Sequence, residues 1–200
     1  MMLTTHILAG ASLGLLFLSS DPEVVFPVMI VGLFGSIFPD LDMFAEHRKT
    51  LHRPFQMLIV SALFALVFTV YSVQAILLAA VFTFSMSLHC FMDILSNGKT
   101  MHPRTDPDDR AVYNRVTDSW IEPRRFVLDG SVPDMILTIV FGIILVVLLP
   151  SYSMVFYTFM GAGVLYTLLT FRLRNRYADY DRYSQIIQKK VGLGPEVSPD

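Results

Sequence analysis

Long uncharged apolar runs alternate with short polar connections along most of the chain. A helix that crosses a bilayer needs about 20 mostly apolar residues. Six runs approach this length, so the pattern predicts an all-α polytopic membrane protein with six transmembrane helices. The predicted spans are residues 1–18, 23–38, 55–71, 73–95, 133–149 and 152–171.

Small residues predict how the first two spans pack. Gly10 and Gly14 have the G-x-x-x-G spacing that lets a neighbouring helix approach closely. Gly32, Gly35 and Ser36 offer a matching small face on the second span. We therefore expect these two spans to form a helical hairpin.

Basic residues are confined to alternate connections. All 15 Lys and Arg residues follow the second, fourth or sixth span, in the loop before residue 55, in the 96–132 loop and in the C-terminal tail. Because Lys and Arg accumulate on the cytoplasmic side of membrane proteins, this distribution predicts cytoplasmic N- and C-termini. We expect a single transmembrane domain over residues 1–172 and a cytoplasmic tail over 173–200. The 96–132 loop is too long for a simple connector and is expected to form a cytoplasmic cap or binding loop.

Composition supports a location in the plasma or inner membrane. Hydrophobic residues make up 54% of the chain and charged residues 16%, against roughly 25% charged in an ordinary soluble domain. The formal net charge of −2 gives no basic field that would recruit nucleic acid. The single cysteine excludes an internal disulfide and a Cys-rich zinc framework, so a bound metal would need His and carboxylate ligands.

The predicted orientation brings ionisable residues from four chain segments to the cytoplasmic face. His89 and Asp93 are one helical turn apart in the fourth span. A histidine and a carboxylate in an apolar span are unfavourable unless they are paired or bind a metal. Imidazole and carboxylate suit a divalent ion such as zinc, which we take as the expected cofactor. The predicted metal ligands are His6, Asp40, His52, His89 and Asp93.

Four motifs stand out among these segments: Thr5-His6, the run Gly-Ser-Ile-Phe-Pro-Asp-Leu-Asp over 35–42, His47-Arg48 with His52, and His89-x-x-x-Asp93. They resemble those of the membrane-bound, metal-dependent hydrolases of the YdjM-like type. The resemblance covers roughly the first 95 residues. It implies an integral membrane protein with a metal-binding, hydrolase-like centre, and it carries over the five predicted ligands together with Asp42 and His47 as site residues.

The leading hypothesis is a metal-dependent hydrolase that acts at the cytoplasmic leaflet. Asp42 or His47 would serve as the general base or would support a metal ligand. The expected substrate is a phosphate ester such as a lipid headgroup, with Arg48 and Arg53 as cations that bind it.

Two other functions stay open on the sequence. One is a non-catalytic membrane interaction module with a structural metal or a hydrogen-bonded His/Asp cluster, whose long loop docks a partner. The other is a transporter, which needs ionisable groups near the midplane of several helices. The interiors of the third, fifth and sixth spans contain no charged residue, which argues against transport.

Overall fold

The computed structural model describes residues 1–19, 22–44, 46–98 and 108–191, with side chains at all of these except 22 and 174–191. Residues 99–107 of the predicted loop and 192–200 of the predicted tail therefore lie outside the described residues. The described chain is mostly helical. Its α-helices are α1 (Leu3–Ala11), α2 (Pro22–Ile37), α3 (Pro54–Tyr71), α4 (Gln74–Leu95), α5 (Val132–Leu148) and α6 (Ser153–Val191). Shorter 3₁₀ helices are Ser12–Phe17, Phe38–Phe44 and Pro150–Tyr152.

Several helical stretches suit a lipid environment. Large apolar side chains such as Leu66, Val147 and Leu165 stay exposed on the outer surface, as expected for helices surrounded by lipid. The described chain is thus a polytopic helical membrane protein, whereas the count of six spans and the cytoplasmic termini stay predictions. Stretches long and apolar enough to cross a membrane are Glu23–Phe44, Pro54–Tyr71, Gln74–Leu95 and Pro150–Leu173, and shorter apolar stretches are Leu3–Phe17 and Val132–Leu148.

The predicted hairpin of the first two helices is confirmed, and it is built on glycine. A Cβ atom on Gly10 would overlap the backbone carbonyl oxygen of Gly32, and one on Gly32 would overlap that of Gly10. Gly35 instead faces α4, where its Cβ would lie 2.6 Å from the Phe82 carbonyl oxygen. The Ser85 hydroxyl donates to the Gly32 carbonyl at 2.6 Å. Helix α2 is therefore packed between α1 and α4, which brings three parts of the predicted site together.

The beginning of α1 is attached to α5 through a buried carboxylate. One oxygen of Asp134 accepts the backbone N–H of Met2 at 2.7 Å, and the other accepts the Thr5 hydroxyl at 2.6 Å. Thr138, one turn further along α5, also contacts the Thr5 hydroxyl at 2.7 Å. Because His6 follows Thr5 directly, these hydrogen bonds fix the position of His6 along the axis of α5.

The polar loop after α4 contains a small β-hairpin, which the all-α prediction did not include. Strands β1 (Val112–Asn114) and β2 (Ser119–Ile121) pair antiparallel. Further along, the backbone N–H groups of Arg124 and Phe126 donate to the carbonyls of Ile94 and Leu95. The described part of the loop therefore folds back onto the C-terminal end of α4.

Candidate metal centre

Four side chains from three chain segments converge near the C-terminal end of α4. They are Asp40 from the Phe38–Phe44 3₁₀ helix, His52 from the loop before α3, and His89 and Asp93 from α4. One donor atom of each lies within 4.8 Å of the other three. The closest approaches are 3.4 Å from His89 Nε2 to Asp40 Oδ1 and 3.4 Å from His52 Nε2 to Asp93 Oδ2. Ligands about 2.0–2.1 Å from a tetrahedral zinc lie about 3.3 Å from one another, so this spacing suits a divalent ion.

Both histidines of this group present an unused lone pair. His52 Nδ1 lies 2.8 Å from a carboxylate oxygen of Asp42, and His89 Nδ1 lies 2.6 Å from the backbone carbonyl oxygen of Ser36. These oxygens only accept, so each Nδ1 carries the proton and donates it. Each Nε2 of the neutral rings is then an acceptor, and both Nε2 atoms are buried without a hydrogen-bond partner in the described chain. Buried acceptors of this kind are unfavourable, and a metal ion bound to both would satisfy them.

Access to the group is at Asp40. Its side chain is 28% exposed, whereas the side chains of His52 and His89 are fully buried and that of Asp93 is 4% exposed. The group of four is therefore nearly enclosed, with one accessible member.

Asp42 links this group to a third histidine at the surface. Its second carboxylate oxygen lies 2.9 Å from His47 Nδ1, and the His47 side chain is 37% exposed. Burial alone would lower the pKa of His52, but its hydrogen bond to Asp42 and the negative charge of Asp93 outweigh burial and raise that pKa above its usual value, which makes Nε2 a more basic ligand atom. Asp42 therefore orients the buried His52 ring, and its other partner, the His47 ring, is partly exposed.

His6 lies beside the four residues and adds no donor atom to their group. Its Nε2 is 3.2 Å from Asp93 Oδ1, whereas Asp93 Oδ2 is the oxygen that approaches His52 and His89. The His6 ring also stacks on the His89 ring, with 3.9 Å between centroids. His6 was predicted as a ligand, and the structure places it against two of the other predicted ligands.

The two arginines predicted to bind substrate occupy different environments. Arg48 is buried, donates through Nη1 to the Asn97 carbonyl at 2.7 Å, and has Nη2 3.6 Å from Asp93 Oδ2. Its own carbonyl accepts the backbone N–H of Tyr113, so it connects the loop before α3 to α4 and β1. Arg53 is half-buried and donates through Nε to the Thr50 carbonyl at 2.9 Å. For both residues the role in substrate binding stays a prediction.

Sequence reasoning missed two residues that support this site. Ser36 orients His89 through its backbone carbonyl, an atom that every residue type has, so no sequence signal distinguishes it. Asp134 holds the start of α1. An acidic residue at the beginning of an apolar run was the available signal, because a carboxylate there is unfavourable without partners.

Most of the chain matches the model of one protein family. The model described as YdjM inner membrane protein matches residues 1–177. The chain belongs to the YdjM inner membrane protein family. Membership in the YdjM family agrees with the apolar helices and identifies an inner-membrane protein. Neither the curated proteins nor the solved structures include a significant match.

Proposed function

We propose that this YdjM family protein is a membrane-embedded, metal-dependent hydrolase whose centre lies at the cytoplasmic face. The observation that carries the proposal is the pair of buried Nε2 atoms of His52 and His89, both without a hydrogen-bond partner in the described chain and both facing carboxylates. Asp40 and Asp93 complete a two-imidazole, two-carboxylate donor set that suits zinc. A zinc ion held there would supply a Lewis acid that activates water and polarises the scissile group.

The neighbouring residues keep protons at defined atoms. Asp42 holds the proton of His52 on Nδ1, so that His52 Nε2 stays free to act as a ligand. His47 also donates through Nδ1 to Asp42, and its own Nε2 can therefore accept a proton and exchange it with solvent. We assign His47 as the general base and Asp42 as the residue that orients both histidines.

The proposed substrate is a phosphate ester, with a lipid headgroup as its source at a membrane face. The Arg48 guanidinium, 3.6 Å from Asp93, gives the centre a neighbouring positive charge that favours an anionic ligand. Arg53 directly follows His52 and brings a second guanidinium group to the same loop. Guanidinium groups bind phosphate oxygens through paired N–H donors.

Metal content and hydrolysis test this proposal together. Elemental analysis of detergent-purified protein should find about one divalent ion per chain, lost in both His52→Ala and His89→Ala. A screen of phospholipids and soluble phosphate esters should then find a hydrolysis that Asp40→Ala abolishes and the surface variant Asp109→Ala retains. A folded wild type that binds no metal after reconstitution, or an Asp40→Ala variant with full activity, contradicts the proposal.

A structural metal in a non-catalytic membrane module is the second candidate. The near-complete burial of His52, His89 and Asp93 favours it, because structural zinc sites are closed whereas catalytic sites keep a position for water. Addition of azide to the cobalt-substituted protein distinguishes the two. A change in the visible d–d bands indicates an open position and supports the hydrolase, and unchanged bands support the structural site.

A further inference from the structure

The Phe38–Phe44 3₁₀ helix sorts its side chains into three rows. Residues three apart eclipse one another in a 3₁₀ helix, so each row has its own environment. The first row is buried, the second contains the accessible member of the metal centre, and the third is apolar and exposed. In order, the rows are Pro39 and Asp42; Asp40 and Met43; and Phe38, Leu41 and Phe44.

Three exposed apolar residues of this segment form a surface that we call the apolar rim. The rim consists of Leu41, Met43 and Phe44, which are 48%, 65% and 89% exposed. In water, such a set of large apolar side chains would be unfavourable. The rim ends the apolar stretch Glu23–Phe44, which is long enough to cross a membrane and also exposes Phe34. Its continuity with this stretch argues that bilayer lipid covers the rim.

The apolar rim borders the accessible side of the metal centre. Asp40 shares its row with Met43 and lies next to Leu41 in the chain. Because Asp40 is the exposed member of the group of four, a ligand that reaches the centre passes Asp40. A ligand that approached the centre from this side would therefore lie against the rim, with its reacting group near the carboxylate.

We infer that the metal centre is reached laterally from the lipid bilayer and takes an amphiphilic ligand. The phosphate of this ligand reaches Asp40, and its hydrocarbon chain lies along Leu41, Met43 and Phe44. The ligand part of this inference rests on the proposed function, because it needs a metal at the centre. The position of the rim in lipid does not depend on the metal and can be tested separately.

Tryptophan fluorescence tests the position of the rim, because the chain has one tryptophan, Trp120. In a Trp120→Phe background, Phe44→Trp is compared with Leu63→Trp on the exposed face of α3 and Val116→Trp in the β1–β2 turn. Each variant is placed in nanodiscs of acyl-brominated phosphatidylcholine. We expect bromine to quench Phe44→Trp nearly as strongly as Leu63→Trp. Quenching of Phe44→Trp by aqueous acrylamide, as expected for Val116→Trp, overturns the inference. Quenching by neither agent, as expected for a face covered by protein, also overturns it.

A cobalt titration tests the ligand. Dodecyl phosphate should change the d–d bands of the cobalt-substituted protein in nanodiscs at a concentration at least about tenfold lower than methyl phosphate, because methylenes gain from apolar contact. The triple variant Leu41→Ser, Met43→Ser, Phe44→Ser should lose this preference and keep its response to methyl phosphate, which separates contact with the rim from simple partition into lipid. Equal responses of the wild type to the two phosphates, or an unchanged preference in the triple variant, overturn the inference.

The two experiments separate failure of the inference from failure of the proposed function. Absence of cobalt binding in the folded wild type contradicts the metal centre and with it the amphiphilic ligand. Cobalt binding with equal responses to dodecyl and methyl phosphate leaves the hydrolase proposal in place and contradicts lateral access alone.

Discussion

Replacing Asp42 with Asn should weaken metal binding about 10- to 100-fold although it removes no ligand. Both oxygens of Asp42 accept hydrogen bonds, one from His52 Nδ1 at 2.8 Å and one from His47 Nδ1 at 2.9 Å. An amide has one acceptor oxygen, and the backbone N–H of Leu51 also donates to the Asp42 oxygen that faces His52, so the amide oxygen stays there and the NH₂ group faces His47. His52 Nδ1 then donates to a neutral amide instead of a carboxylate, which makes its Nε2 a weaker metal ligand. The expected loss is about 1.4–2.8 kcal/mol of binding free energy.

The assay is competition for zinc between the detergent-purified protein and a chromophoric chelator, which gives Kd directly. Asp118→Asn, a surface change of the same type, should leave Kd unchanged. His47→Gln removes the outer partner of Asp42 but not the proton on His52 Nδ1, so it should change Kd much less than Asp42→Asn. The unfolding midpoint of the metal-free protein shows whether each variant is folded. A folded Asp42→Asn variant that binds zinc as tightly as the wild type would refute the assignment of Asp42 as the residue that orients His52.

Three further predictions concern helix packing. Gly10→Ala should destabilise the protein by about 1–3 kcal/mol, because the new methyl group overlaps the Gly32 carbonyl oxygen. The control Gly161→Ala should not destabilise it, because a Cβ atom there meets nothing within 4 Å. Equal unfolding midpoints of the two variants would contradict this packing. Asp134→Ala should cost about 1–3 kcal/mol in a denaturant titration, since it leaves two buried backbone N–H donors without their acceptor; wild-type stability would disprove that anchor. Cys90, fully buried in α4, should react with a maleimide only after unfolding, and rapid labelling of the native protein would be inconsistent with the packing of α4.

Much of the helical layout could be predicted from hydropathy because it is a local property. The third predicted span, 55–71, corresponds to α3 (Pro54–Tyr71), and the fourth, 73–95, corresponds to α4 (Gln74–Leu95). Helix α6 continues to Val191, well past the predicted end at residue 171, because a polar helix outside an apolar run has no hydropathy signal. The β-hairpin was missed because three-residue strands are too short for a periodic pattern.

Which residues form the candidate metal centre could be predicted only in part. The sequence indicated seven His and Asp residues at one end of the helices, and the structure brings donor atoms of four of them within 4.8 Å of one another. The difference between His6 and His89 shows why. Both lie on helices near the same carboxylate, but His89 Nε2 points at Asp93 Oδ2 and Asp40, whereas His6 reaches Asp93 Oδ1 and stacks on the His89 ring.

The sequence by itself determined that this chain is a helical membrane protein and predicted that four of its five histidines and three of its aspartates gather at one face. Transfer into lipid depends on the summed hydrophobicity of consecutive residues, and that sum can be read directly from the chain. Only the tertiary structure decided which atoms meet, how Asp42 and Ser36 set the histidine protons, and that Asp134 anchors α1. These contacts join segments far apart in sequence, and their distances depend on close helix packing at Gly10 and Gly32, which no local pattern contains.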